Sequence, residues 1–160
     1  MAYNDTLEKF CELFLSVRHQ VELPKKLECP KLQVFSLELQ KNFLKIPDSF
    51  FEVMTELKVL YLCECTLADI AIVGEFTNLE ILTVHDSDIK QLPSAIGRLH
   101  RLKLLDLRGC NSLKVIPPRV VSKLTRLEEV NMECSFTNWE VKGQDTRSRN
   151  CSLSEIKWIA

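Results

Sequence analysis

One spacing constrains this sequence more than any other: a Leu, two residues, an apolar residue, one residue, and a second apolar residue. It occurs as Leu32-Phe35-Leu37, Leu57-Leu60-Leu62, Leu79-Leu82-Val84, Leu102-Leu105-Leu107 and Leu127-Val130-Met132. The leading leucines stand 25, 22, 23 and 25 residues apart. Self-similarity at such a period makes each unit one supersecondary piece that cannot bury its apolar side alone. Neighbouring units must therefore stack to share a core.

The unit can be read as chemistry. The alternation in Leu82-Thr83-Val84 predicts a short strand with two side chains turned inward and one outward. Three residues after the last strand hydrophobe stands a small or polar residue: Gln40, Cys65, Ser87, Cys110 or Ser135. Such side chains can hydrogen-bond the backbone where it leaves the strand, which buried irregular backbone requires. A second apolar group then returns to the core in Leu44-Lys45-Ile46-Pro47, Ile89-Lys90-Gln91-Leu92-Pro93 and Leu113-Lys114-Val115-Ile116-Pro117. The proline stops the strand from continuing. Ser94 to Leu99 and Val120 to Leu124 follow as helical turns on the opposite side, and Ser49 with Glu52 has capping-box spacing for a turn through Met54.

The expected fold is an α/β leucine-rich-repeat solenoid, with a parallel β-sheet on the concave face and short helices and turns on the convex face. One domain spans 1–160: a degenerate first repeat at 1–31, five repeats at 32–141, and a loop with a truncated next repeat at 142–160. The second full repeat lacks the Leu-Pro turn and runs Leu67-Ala68-Asp69-Ile70-Ala71-Ile72-Val73-Gly74, so its convex side should differ in shape. The polar run from Lys142 to Asn150 reads as a loop before a helical fragment, Leu153-Ser154-Glu155-Ile156. With no polar terminal cap before Ala160, the chain reads as truncated.

Composition narrows the function classes. Lys plus Arg number 21 and Asp plus Glu 22, a net charge of −1 that argues against a general grip on nucleic acid or an anionic membrane. No apolar run reaches membrane-span length, and the N-terminal residues lack a signal-peptide pattern, so the expected location is cytoplasmic. An odd count of seven cysteines then reads as free thiols, and Asn4-Asp5-Thr6 and Asn150-Cys151-Ser152 as chance matches to the glycosylation pattern. His19, His85 and His100 are scattered, and the Cys63-Cys65 pair lacks metal-ligand partners, since Cys65 and Cys110 hold the turn position. No histidine stands at an obviously matching place for a catalytic cysteine. The expectation is no enzyme, no cofactor and no metal.

What remains is the concave face. The outward residues at mid-strand are Ser36, Tyr61, Thr83, Asp106 and Asn131; the next outward row is Glu38, Cys63, His85, Arg108 and Glu133. Tyr61, His85 and Arg108 make a diagonal of residue types favoured at interfaces. The expected partner-binding residues are thus Ser36, Tyr61, Thr83, His85, Asp106, Arg108 and Asn131. A third row, Val34, Val59, Ile81 and Leu104, reads as packing along the sheet edge rather than as a contact stripe. Trp139 and Trp158 read as local core plugs or as surfaces bared by truncation.

Leu102 to Pro117 follows the plant intracellular repeat Leu-x-x-Leu-x-Leu-x-x-Cys-x-x-Leu-x-x-Leu-Pro, with one residue inserted after Cys110. Cys29-Pro30-Lys31-Leu32, Ile46 to Glu52, and Leu127 to Glu140 ending in Ser135-Phe136-Thr137-Asn138-Trp139-Glu140 resemble the start of the repeat region in plant coiled-coil nucleotide-binding disease-resistance proteins. That resemblance implies an innate-immune receptor module. It would sense a pathogen effector or a guarded host protein, and restrain a neighbouring nucleotide-binding domain of a resistance protein. The chain departs from that family in lacking any Gly-x-x-x-x-Gly-Lys-Ser/Thr loop; its only glycines are Gly74, Gly97, Gly109 and Gly143. Two rival readings are a standalone intracellular scaffold for a signalling enzyme and the substrate-recognition arm of a ubiquitin ligase.

Overall fold

Six short strands lie in one parallel sheet, in chain order, in a computed structural model that describes residues 11–17, 23–39, 46–66, 70–140 and 149–156. They are β1 (Glu12–Val17), β2 (Val34–Leu39), β3 (Val59–Cys63), β4 (Ile81–His85), β5 (Leu104–Asp106) and β6 (Glu129–Asn131). Sequential order with no crossover is what stacking of like units produces. The register is regular: Phe35, Leu60, Leu82, Leu105 and Val130 are partners in turn, as are Ser36, Tyr61, Thr83, Asp106 and Asn131. β1 extends this to the first unit, with Phe14 opposite Ser36.

Each inward row becomes a ladder of buried side chains. Leu32, Leu57, Leu79 and Leu102 are fully buried, and so are Leu60, Leu82 and Leu105. Removing one such side chain from water stabilises the fold by about 1.5–3 kcal/mol. The opposite layer consists of 3₁₀ turns at Asp48–Phe51, Ala71–Glu75, Ser94–Arg98, Val121–Lys123 and Leu153–Ile156. Ile96, Val73 and Val121 from these turns are buried in the same core. At the N-terminal end aromatics fill the space between the layers. Phe35 lies 5.8 Å from Phe50, Phe50 lies 5.1 Å from Phe51, and Phe51 lies 6.1 Å from Phe76.

Two expectations need correction. The Ser49 hydroxyl does not cap its own turn; it donates 2.6 Å to the Lys25 carbonyl in the preceding unit. Pro47, extended at φ −62° and ψ 142°, is the residue before that turn, which leaves Ser49 inside it and free to reach sideways. The second full repeat differs less than its missing Leu-Pro suggests. Ala71–Glu75 and Ser94–Arg98 are equal in length and leave through nearly the same backbone angles, φ −82° and ψ 69° at Phe76 against φ −80° and ψ 65° at Leu99. Only the entry differs, Ile70 having φ −111° and ψ 21° where Pro93 has φ −64° and ψ 145°. The shared core position, Val73 in one repeat and Ile96 in the other, sets the turn, so the proline is dispensable for it.

The C-terminal segment docks onto the last repeat. The Cys151 N–H donates 2.6 Å to the Ile116 carbonyl, and the Ile116 N–H donates 3.1 Å to Asn150 Oδ1. Glu155 accepts from the backbone N–H groups of Arg119 at 3.0 Å and Ser122 at 3.4 Å, where the turn at Val121–Lys123 begins. Burial alone would raise the Glu155 carboxyl, but those two amides, the Ser152 amide and the Cys151 thiol hold it below the usual carboxylate range. Trp139 plugs the core locally, edge-on to Phe136 at 4.9 Å. Gln40, Leu44, Lys45, Leu67, Ala68, Asp69, Trp158, His19 and the run at 142–148 lie outside the described residues.

Candidate functional site

The strands end by one device, repeated four times. Glu64, Asp86, Gly109 and Cys134, each following the last outward strand residue, have φ of 53°, 48°, 72° and 52°. A left-handed residue costs roughly 1 kcal/mol when it is not glycine, so something must hold it. The ladder continues through it: the amides of Glu64, Asp86 and Gly109 donate to the carbonyls of His85, Arg108 and Glu133 at 3.0, 2.9 and 3.0 Å. Gly109 is glycine for a further reason, since a Cβ there would run into the Asp86 carboxylate.

The next residue inward satisfies the turn. The Ser87 hydroxyl donates 2.9 Å to the His85 carbonyl and accepts 3.0 Å from the Cys65 amide. The Cys110 thiol points at the Val84 carbonyl at 3.0 Å, and the Ser135 hydroxyl at the Cys110 carbonyl at 3.3 Å. These are the backbone-binding roles expected of the row. Burial pushes the Cys65 thiol up to about 12 and the Cys110 thiol up to about 11. Groups so reluctant to ionise are structural, not nucleophilic.

Outside this spine lies the outward face. All seven expected contact residues fall on it, in two neighbouring rows, but they are not equally accessible. Thr83, between Tyr61 and Asp106 in register, is 8% exposed, and Asp106 is 6% exposed. Arg108 covers Asp106: Nε lies 3.1 and 3.0 Å from the two carboxylate oxygens, Nη2 lies 2.7 Å from Oδ2, and the Arg108 amide donates 3.0 Å to Oδ1. This forked pair holds the guanidinium flat along its own strand, and it raises the Arg108 pKa first through the hydrogen bond and then through the charge. Ser36, Tyr61, His85 and Asn131 remain half-buried, and Arg108 exposed.

The sheet also brings Cys63 beside His85, with Sγ 3.9 Å from Nδ1, while His85 Nε2 lies 3.5 Å from Asp86 Oδ2. The sequence reading set the two side by side in one outward row, 22 residues apart in the chain, without matching them as a thiol and an imidazole in contact. The grouping is not an activated nucleophile: burial raises the Cys63 thiol, and the Tyr61 hydroxyl offsets that only in part. Tyr61 in turn is pushed up to about 12, chiefly by burial, then by Cys63, Glu38 and Asp106. No group of three or more metal-ligating side chains occurs among the described residues.

Across the entry to the strands runs a row that sequence inspection passed over: Gln33, Lys58, Glu80, Lys103 and Glu128. Lys58 Nζ donates 3.0 Å to Gln33 Oε1, and Lys103 Nζ lies 2.7 Å from Glu80 Oε2. Lys103 holds the Glu80 carboxyl below its ordinary range, first by that hydrogen bond and then by its charge. On the convex side Arg98 pairs with Glu75. At the strand-entry edge Lys103 is thus paired with an acid, while Lys58 is bonded to a neutral amide oxygen.

Comparison with known proteins fits this geometry. No protein-family model matches the chain. A crystal structure of an internalin from Listeria monocytogenes superposes with a TM-score of 0.58 at 14% identity, covering 86% of this chain and 45% of that one. A disease resistance protein of Arabidopsis thaliana is 29% identical over 155 residues. Disease resistance protein RPS4B and disease resistance-like protein DSC1, of the same plant, are 36% identical over 78 residues and 30% over 101. The relatives are plant disease-resistance proteins. The fold is a leucine-rich-repeat solenoid, and the chain resembles the repeat region of such proteins. It spans 80%, 48% and 60% of itself in these matches but only 15%, 6% and 8% of those proteins' own lengths. No helix of the described residues is long and apolar enough to cross a membrane.

Proposed function

We propose that this chain is the protein-recognition and regulatory repeat module of a plant immune receptor, working in the cytoplasm by binding rather than by catalysis. Its ligand is a pathogen effector or a host protein that an effector modifies, and its regulatory partner is the nucleotide-binding domain of a resistance protein. The observation that carries this reading is the sheet's outward face, where side chains that the core does not need stand in register across successive units. Such a surface is a rigid platform whose half-buried and exposed members, Ser36, Tyr61, His85 and Asn131 among them, are less constrained by the core than the inward leucines, which suits recognition. The similarity to disease resistance proteins supplies the biological setting.

The test is co-purification of the chain with the nucleotide-binding half of a related resistance protein supplied in trans. Specific retention that falls with Tyr61→Ala and Asn131→Ala supports a regulatory module acting through this face. Retention indifferent to both changes moves the contact to another surface. No retention of a chain that still unfolds cooperatively refutes the regulatory role. Arg108→Ala is a poor probe, because it strands the buried Asp106.

A further inference from the structure

The outward face is electrically one-sided. Its three rows, from β1 to β6, hold the acids Glu12, Glu38, Asp106, Glu129 and Glu133 against one Arg, and that Arg is tied to Asp106. Every described lysine lies off these rows. A face that excludes lysine while the edge beside it uses lysine at Lys58 and Lys103 carries a negative potential that neighbouring cations do not cancel.

At the β1 end two of these acids, Glu12 and Glu38, flank an aromatic notch. Phe14 is 66% exposed, one of two large hydrophobic side chains so exposed among the described residues. It stands opposite Ser36, which stands opposite Tyr61. With strands about 4.8 Å apart, the backbones carrying the two rings stand roughly 10 Å apart, with the small Ser36 side chain between them. Glu12 lies diagonal to Ser36, and Glu38 diagonal to Tyr61. The charge of Glu38 is felt at the Tyr61 hydroxyl. The inward side chains of β1, Leu13, Leu15 and Val17, pack on the core, so Phe14 has no structural need to be aromatic.

We propose that this notch binds a cationic segment of a protein partner, with an Arg or Lys side chain lying between Phe14 and Tyr61 over Ser36, and Glu12 and Glu38 as its counter-ions. Ring faces attract a cation, and carboxylates at the notch mouth neutralise it as water is expelled. The inference deepens the recognition reading above, from which it takes only that the ligand is a protein.

The experiment measures fluorescence anisotropy of two labelled peptides of equal length, one alternating Arg and Leu and one alternating Glu and Leu, titrated with the full chain. The Arg peptide should bind, the Glu peptide should not, and added salt should weaken the complex. Phe14→Ser and Glu38→Gln should each weaken it on the order of tenfold, while Glu75→Gln on the convex side leaves it unchanged. Equal binding of both peptides, no binding of either, or binding of the Arg peptide that both notch variants leave intact would each overturn the proposal. Circular dichroism melts of the variants guard against misfolding. The two readings fail separately: a chain that captures the nucleotide-binding half but shows no cationic preference loses only the notch, and the reverse result loses only the regulatory role.

Discussion

The row Cys65, Ser87, Cys110, Ser135 and the row Ser36, Tyr61, Thr83, Asp106, Asn131 run side by side along the same sheet under different constraints. In the first, every side chain is small, buried and bonded to a backbone group of its own or an adjacent unit. In the second, size, charge and exposure change from strand to strand. The first row answers to backbone accounting, which is the same in every unit because the chain leaves the strand in the same left-handed way. The second follows such a rule only at its C-terminal end, where Asp106 Oδ1 and Asn131 Oδ1 accept from the amides of Arg108 and Glu133; elsewhere its composition is freer to vary. The spine therefore reports on the fold, and the outward row is less constrained by it.

Substitutions can sharpen that contrast. Leu82→Ala, on the inward side of β4, should cost about 2–5 kcal/mol in urea unfolding, because it opens a cavity between two filled layers. Ser87→Ala removes the acceptor for the buried Cys65 amide, and should cost about 1–3 kcal/mol by the same measurement. Cys110→Ser, which keeps a donor toward the Val84 carbonyl, should cost less than Ser87→Ala. A spine that tolerated Ser87→Ala without loss would erase the distinction between the rows.

The C-terminal contact should respond to acid. The Glu155 carboxyl is lowered in the fold, so its stabilisation is present above its ordinary value near 4.5 and is lost as pH falls through the lowered value. Hydrogen-exchange protection of the Arg119 and Ser122 amides, taken relative to the intrinsic exchange rate at each pH, should fall over that interval, and Glu155→Gln should make that protection largely independent of pH. At the small end, Asn131→Ala in the outward row should change stability by about 0.5 kcal/mol or less. A much larger loss would place that residue with the spine.

The repeat period, the strand positions, the inward leucines and the turn row were legible in the sequence, because each rests on a local rule that recurs every 22 to 25 residues. The same offset named the outward rows correctly as rows. What the chain order alone could not weigh was how neighbours across strands alter one another. Asp106 reads as an accessible acid until Arg108 folds back over it. Thr83 reads as accessible until the fold, with Tyr61 and Asp106 in register on either side, leaves it 8% exposed. Cys63 and His85 read only as members of one row until the sheet brings Sγ within 3.9 Å of Nδ1. Ser49 reads as a helix cap until the adjacent unit offers the Lys25 carbonyl. The sequence by itself determined the architecture, since stacking like units leaves one way to bury their shared apolar side. The tertiary structure decided which polar side chains stay accessible on the outward face, since accessibility and charge depend on residues one repeat away.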